Sequence, residues 1–359
     1  MNFNHISCQS FHSGIGRYSF ELALALREKN EDTFLYKLKS LPDPLAAFDW
    51  VRSIPFRSFR NLHPYLLPLF IERGIAQAQG LLHAHWFLSG LSILNRKAPK
   101  VVTMHDVSLL HIPEKNKLFE SYYRSALEAF RRKQIPLIVV SESAKRDTLK
   151  FARYPEHLVH AVHNGINHHQ FYPIENSRAN REASGKFTLI YSGGLGVRKN
   201  LGQLLRAFFH IEKEFPEARL KIAGAFPERT DYPRLAMSLG LKNVEFTGYI
   251  PESEMNAFYN SGDLFVYPSL YEGFGFAPLE AMAAGVPVLS SFKGALSETL
   301  EHAAFPLGQS VEDAVDKMTF LIQNPSFRQT LTERGLARAK EFSWEKTAQE
   351  TMKVYSQTY

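Results

Sequence analysis

Cysteine is almost missing. Cys8 is the only one in 359 residues, so the chain can form no internal disulfide and no cysteine-ligated zinc site. That scarcity points to a reducing compartment, and a cytoplasmic location is expected. Long apolar runs are also lacking. The stretch 65–71, broken by Pro68, is far shorter than the roughly 18 residues needed to cross a bilayer. The polar segment 1–10 has no signal-peptide core. No D-x-D, no G-x-G-x-x-G and no G-K-[ST] occurs, which removes the common signatures of metal-held diphosphates, dinucleotides and P-loop nucleotides. There is no fixed-period repeat or low-complexity tract.

What remains is an ordinary globular composition, 45% hydrophobic, 13% aromatic and 22% charged, long enough for about two domains. The net charge of +6 is unevenly divided. Residues 1–170 carry 22 basic and 14 acidic side chains, and 12 of the 14 histidines, whereas the rest is −2. A basic half suits an anionic partner such as phosphate, a membrane surface or nucleic acid, with a plainly solvated basic surface as the alternative. No nucleic-acid motif accompanies the charge, so no nucleic-acid partner is expected.

Short β-branched runs alternate with helical patterns along the whole chain, as βαβ units and parallel sheets require. Strands are expected at 101–104, 137–140, 159–162, 187–191, 220–223, 244–247, 264–267 and 286–289, with helices at 16–28, 117–133, 201–215 and 253–261. The fold class is therefore α/β, with two Rossmann-like doubly wound parallel-sheet domains. The polar stretch 168–186 separates the two strand sets and is the best linker candidate. Ligands of such sheets bind beyond the carboxyl ends of the strands, where this sequence is rich in glycine, hydroxyls, histidine and cations.

The most specific segment is Tyr267-Pro-Ser-Leu-Tyr-Glu272-Gly-Phe-Gly-Phe-Ala-Pro278-Leu-Glu280-Ala-Met-Ala-Ala-Gly285-Val-Pro287. It predicts a helix opening at Pro278 and stopping at Gly285, with Glu280 in the first turn. Gly273 and Gly275 allow close backbone approach to a ligand, and the helix start offers N–H groups to an anion. Glu280 can accept ribose hydroxyls and Glu272 sugar hydroxyls. The plain alternative makes the two acids a helix-start residue and a solvated loop residue. A second anion site is expected in Ser192-Gly-Gly-Leu-Gly-Val-Arg198-Lys199-Asn200, where cations follow a glycine turn. A third glycine turn, Ser13-Gly14-Ile-Gly16-Arg17-Tyr18, is expected just before the first helix. His105 follows a strand of the basic half and could contact a sugar or move a proton. His83, His85 and His105 lack the spacing of a metal set, and no metal ligand is assigned.

Together with Val140-Ser-Glu-Ser-Ala144, His163-Asn-Gly-Ile166, Phe246-Thr-Gly-Tyr-Ile-Pro251 and Phe342-Ser-Trp-Glu345, these segments resemble the retaining GT-B glycosyltransferases of family 4, also called group 1. The resemblance covers nearly the whole chain, and the Ser-Gly-Ile-Gly-Arg-Tyr form is mannosyltransferase-like. It implies two Rossmann-like domains facing across a cleft: 1–172 on the acceptor side, 173–343 binding a nucleotide-sugar donor, and a last helix, 344–359, returning to the first domain. It further implies that Gly14 and Gly16 approach the donor, that His105 contacts the transferred sugar, and that Lys199 with Arg198 holds the diphosphate. Tyr249 and Ile250 would border the base, Glu272 would bind the sugar and Glu280 the ribose. Backbone from Phe274 to Leu279, through Gly275 and Phe276 and after Gly273, would complete the donor site. Gly194 stands where many members carry Arg.

The expected function is transfer of a hexose, GDP-mannose being the first donor, to an acceptor hydroxyl on a glycan or lipid-linked glycan with retention of configuration. No cofactor or metal is expected, and peripheral contact with the inner face of an anionic membrane is. Two alternatives stand beside it: a catalytically silent sugar-nucleotide binder of the same fold, and a dinucleotide oxidoreductase, which should show a glycine fingerprint with an acid about 20 residues on.

Overall fold

The structure, a computed structural model, describes residues 2–9, 13–30, 32–39, 45, 47–55, 63–110, 117–177, 179, 183, 185–224 and 231–358. The chain divides into two compact units, Met1–Gly165 with Trp344–Tyr359, and Ile166–Ser343.

The first unit is built on a seven-stranded, wholly parallel sheet: β1 (Phe3–Ser7), β2 (Thr33–Leu38), β3 (Val51–Ile54), β4 (Leu81–Ala84), β5 (Lys100–Met104), β6 (Leu137–Val139) and β7 (Val159–Ala161), in the order β3-β2-β1-β4-β5-β6-β7. Its helices are α1 (Gly14–Arg27), α2 (His63–Gly74), α3 (Phe87–Ile93), α4 (Lys117–Arg132) and α5 (Glu142–Ala152). Ser13 caps α1 by accepting from the Gly16 N–H at 3.0 Å, and Ser141 caps α5 by accepting from the Ala144 N–H at 2.9 Å, each closing an otherwise unpaired donor. Helix α4 is amphipathic: Tyr123, Ala126, Leu127 and Phe130 are buried, and the apolar stripe joins the first unit's core beside α3, where the Tyr123 and Phe87 rings lie 4.9 Å apart, as a 3.6-residue period requires.

The second unit holds a six-stranded parallel sheet: β8 (Phe187–Ser192), β9 (Ala218–Ala223), β10 (Val244–Gly248), β11 (Leu264–Tyr267), β12 (Val288–Ser290) and β13 (Phe305–Pro306), ordered β10-β9-β8-β11-β12-β13. Around it lie α6 (Leu201–Glu214), α7 (Tyr232–Ser238), α8 (Met255–Asn260), α9 (Phe276–Ala283), α10 (Leu296–Leu300), α11 (Val311–Gln323) and α12 (Pro325–Ala339). The final helix, α13 (Trp344–Ser356), belongs to the first unit: Thr347 donates to the His163 carbonyl at 2.8 Å, and the Tyr355 ring lies 5.1 Å from Phe3.

The chain changes unit between Gly165 and Ile166, ahead of the 172/173 division drawn from the sequence. Residues that read as a polar linker are docked on the second unit. The Ile166 N–H donates to the Phe342 carbonyl at 3.1 Å, Gln170 Nε2 to the Glu252 carbonyl at 3.0 Å, and the N–H groups of Tyr172 and Ile174 to Asn256 and Asn260 side chains at 3.2 and 2.8 Å. The expected helix 253–261 is a 3-10 turn at Glu252–Glu254 followed by α8. Among the described residues, no helix is long and apolar enough to cross a membrane.

Candidate active site

At the carboxyl end of β8 the chain turns through Gly193–Gly196 into a 3-10 turn, Val197–Lys199, which carries both cations. Asn200, at φ 55°, breaks that turn from α6, so Arg198 and Lys199 precede the helix and do not open it. Beyond β11 the loop 268–275 runs beside them, and the two loops are stitched by the Leu270 N–H donating to the Arg198 carbonyl at 2.9 Å.

Glu272 lies at the centre of this seam, buried with 7% of its surface exposed. Its Oε1 accepts from Lys199 Nζ at 2.6 Å, Ser269 Oγ at 2.5 Å and Tyr267 OH at 3.1 Å, and Arg198 stands 3.3 Å from Oε2. Tyr267 OH also accepts from Lys199 Nζ at 2.8 Å, and Arg198 donates to the Tyr271 carbonyl. Burial pushes the Glu272 carboxyl up, but Lys199 and Arg198 outweigh it and hold the group below the ordinary carboxylate range. The same burial, with the Glu272 charge, raises the Tyr267 phenol well above its usual value.

Glu280 lies on α9, and here the structure corrects the sequence. The helix opens at Phe276, two residues before Pro278, because Gly275 supplies a left-handed start at φ 98°. Glu280 therefore falls in the second turn, beyond the first-turn N–H groups. It is buried at 3% exposure and accepts from Tyr259 OH at 2.7 Å, which in turn accepts from Ser192 Oγ at 2.8 Å. The stop at Gly285 is as read, with φ 75°. Gly273 follows Glu272 in the loop. Phe274 is buried against Phe276 and Phe342, ring centroids 5.1 and 5.7 Å away, and its carbonyl accepts from Thr299 Oγ1 at 3.1 Å. Leu279 is fully buried in α9. Tyr249, 54% exposed, and Ile250 follow β10. Thus Arg198, Lys199, Tyr249, Ile250, Glu272 and Glu280 all gather beyond the carboxyl ends of one sheet, where ligands of doubly wound sheets bind.

The remaining sites lie in the first unit. Gly14 and Gly16 fall within the first turn of α1, whose cap at Ser13 starts the helix earlier than the predicted turn. His105 follows β5, half-buried, with the Tyr18 ring edge-on at 4.8 Å. Its Nε2 meets the His85 carbonyl at 3.1 Å; a carbonyl only accepts, so Nε2 carries the proton and Nδ1 the lone pair. Burial pushes His105 down to about 4, against the opposing pull of Asp106 and of that carbonyl.

Sequence reasoning missed His5. In the parallel β1·β4 ladder it lies directly opposite His83, so His5, His83 and His85 bring ring nitrogens within 4.8 Å of one another at full burial. His5 and His85 meet at 2.8 Å, while His83 holds Tyr355 OH and Thr103 Oγ1, each at 2.7 Å. Thr103 Oγ1 reaches Tyr18 OH at 3.0 Å. Only the strand register brings His5 to His83, and no spacing along the chain signals it.

Residues 174–338 match the family described as glycosyl transferases group 1, and residues 12–170 match glycosyltransferase family 4. The chain is 28% identical to O-antigen chain mannosyltransferase B of Escherichia coli, over 96% of each chain. Its fold resembles sucrose-phosphate synthase from Thermosynechococcus elongatus, with TM-score 0.81, 20% identity and 99% and 98% of the two chains covered. It also resembles HepE of Anabaena in complex with UDP-glucose, with TM-score 0.81, 18% identity and 99% and 100% covered. With both halves matched and two Rossmann-like units of the GT-B type, the chain belongs to the group 1, family 4 glycosyltransferases.

Proposed function

We propose that this glycosyltransferase moves a hexose from a nucleoside diphosphate sugar to an acceptor hydroxyl on a glycan or lipid-linked glycan, with retention of anomeric configuration. The observation that carries the reading is the Arg198–Glu272–Lys199 cluster, set with Glu280 beyond the strand ends of the second unit. Arg198 and Lys199 take the diphosphate, Glu272 the transferred sugar, and Glu280 the ribose, with Tyr249 and Ile250 beside the base. Gly14, Gly16 and His105 serve the donor and acceptor from the first unit. Mannose from GDP-mannose is the first donor, supported by the mannosyltransferase relative across 96% of the chain; the UDP-glucose complex of HepE makes UDP-glucose the donor to compare it with.

In the proposed step the bond between the anomeric carbon and the β-phosphate oxygen breaks, and the acceptor oxygen bonds to the same face of that carbon. The acceptor proton passes to the departing phosphate oxygen. Two fixed cations stabilise the charge that develops on the leaving group, so the diphosphate needs no divalent ion. Full activity is expected in excess EDTA; abolition by EDTA with rescue by Mn²⁺ or Mg²⁺ would refute this charge assignment. A thermal-shift panel of nucleotide sugars identifies the donor, since a ligand at 100 times its Kd adds about 2.7 kcal/mol. NMR of the product anomer tests retention. The acceptor is proposed to be presented at an anionic membrane on which the first unit docks peripherally from the cytoplasm.

A further inference from the structure

The two cations assigned to the diphosphate already have an anion of the protein's own. Glu272 sits 2.6 Å from Lys199 Nζ and 3.3 Å from Arg198, and Ser269 and Tyr267 fix its Oε1 at 2.5 and 3.1 Å. The carboxylate is thus held by its neighbours and is not free to swing away. The Lys199 side chain is 14% exposed, so the attraction and any repulsion act in a weakly screened setting. A site with two cations and no anion would bind most tightly the ligand with most negative charge. That ligand is the product: a free nucleoside diphosphate has an ionising terminal phosphate, second pKa about 6, which the esterified nucleotide sugar lacks.

We propose that Glu272 is a counter-anion that sets donor over product. It partly neutralises Lys199 and Arg198, repels the additional charge of the released nucleoside diphosphate, and so speeds product release. The donor recovers the loss because its sugar hydroxyls donate to the same carboxylate. The inference rests on the reading of Arg198 and Lys199 as the diphosphate cations, and it adds to that reading the control of product binding.

The test is isothermal titration of the full chain with GDP, UDP and the corresponding nucleotide sugars, in EDTA, for wild type and for Glu272→Gln, Glu272→Ala and Glu272→Asp. The two neutral variants should bind the preferred nucleoside diphosphate roughly tenfold more tightly than wild type. Glu272→Asp, which keeps the charge, should stay close to wild type. Wild type should hold the nucleotide sugar more tightly than the nucleoside diphosphate, and Glu272→Gln should invert that order. A merely structural role for Glu272 predicts the opposite, since leaving two partly buried cations uncompensated in a loosened loop weakens every ligand. Neutral variants that fold yet bind the diphosphate no better than wild type overturn the proposal. So does a wild type that prefers the free diphosphate, a readout that requires no variant to fold. If wild type binds neither nucleotide nor nucleotide sugar, the functional reading itself fails.

Discussion

Glu280 and Glu272 are eight positions apart in number and opposite in setting. Glu272 is compensated by Lys199 and Arg198, whereas Glu280 is held by the neutral Tyr259 phenol, itself tied to Ser192 at the end of β8. An ionised carboxylate has about four lone-pair sites, so Glu280 can keep the Tyr259 bond and still accept from a ligand hydroxyl. Glu280→Ala should therefore weaken binding of nucleotide and nucleotide sugar alike by about 1.5–3 kcal/mol, the loss of a charge-assisted hydrogen bond. Titration with both ligands decides it. An unchanged Kd in a folded variant removes Glu280 from the ribose.

At the scale of elements, strands β1 and β4 place three histidines inside the first unit's sheet. Burial pushes His5 down to about 3, and His83 and His85 well below their usual value. In the unfolded chain each titrates near 6.5. As the pH falls below that value the unfolded state takes up protons that the folded state refuses, so the stability present at pH 7 is lost on acidification. At pH 5 the loss should be about 2 kcal/mol for each buried imidazole. Urea denaturation at pH 7.5 and pH 5 measures it, and His5→Leu should flatten the dependence; equal midpoints at both pH values in wild type would contradict the burial argument. The same histidines explain why the apolar pattern alone marks neither strand. Asn4, His5 and Ser7 in β1, and His83 in β4, interrupt the apolar runs that mark a buried strand, and they are tolerated through hydrogen bonds that link distant segments. By contrast 264–267 is wholly apolar and aromatic, and it reads directly as β11. The start of α9 was misplaced because Pro278 looked like a first residue, while the backbone φ of Gly275 is invisible in sequence.

For the whole molecule, the two-sheet architecture and the cluster beyond β8 and β11 were legible because glycines and cations punctuate strand ends. Which atoms pair within that cluster was not legible, because Glu272 and Lys199 are far apart in the chain. The charge asymmetry was equally plain: the first unit carries the basic excess, and the proposed membrane docking rests on it. The structure redistributes its details. Of the arginines that stand among aromatics in this half of the sequence, Arg57 and Arg60, with Phe56 and Phe59, lie outside the described residues, and Arg131 and Arg132 both bind Glu128 at 2.8 Å, so that with Lys133 the end of α4 presents two net positive charges. Leu69 on α2 and Leu118 on α4 are 57% and 67% exposed, on helices whose Tyr65 and Tyr122 rings meet at 5.0 Å. Exposed leucines on a unit with an excess of cations suit an anionic interface, where each nearby cation contributes about 1 kcal/mol. Co-sedimentation with vesicles should rise with anionic lipid and fall with added salt. It should weaken for Leu69→Ser with Leu118→Ser. It should weaken further for Arg131→Ser with Arg132→Ser, which leaves only Lys133 against Glu128 and cancels the local charge. If the wild type stays in the supernatant over strongly anionic vesicles at low salt, docking is excluded, and the acceptor must be sought among soluble glycans.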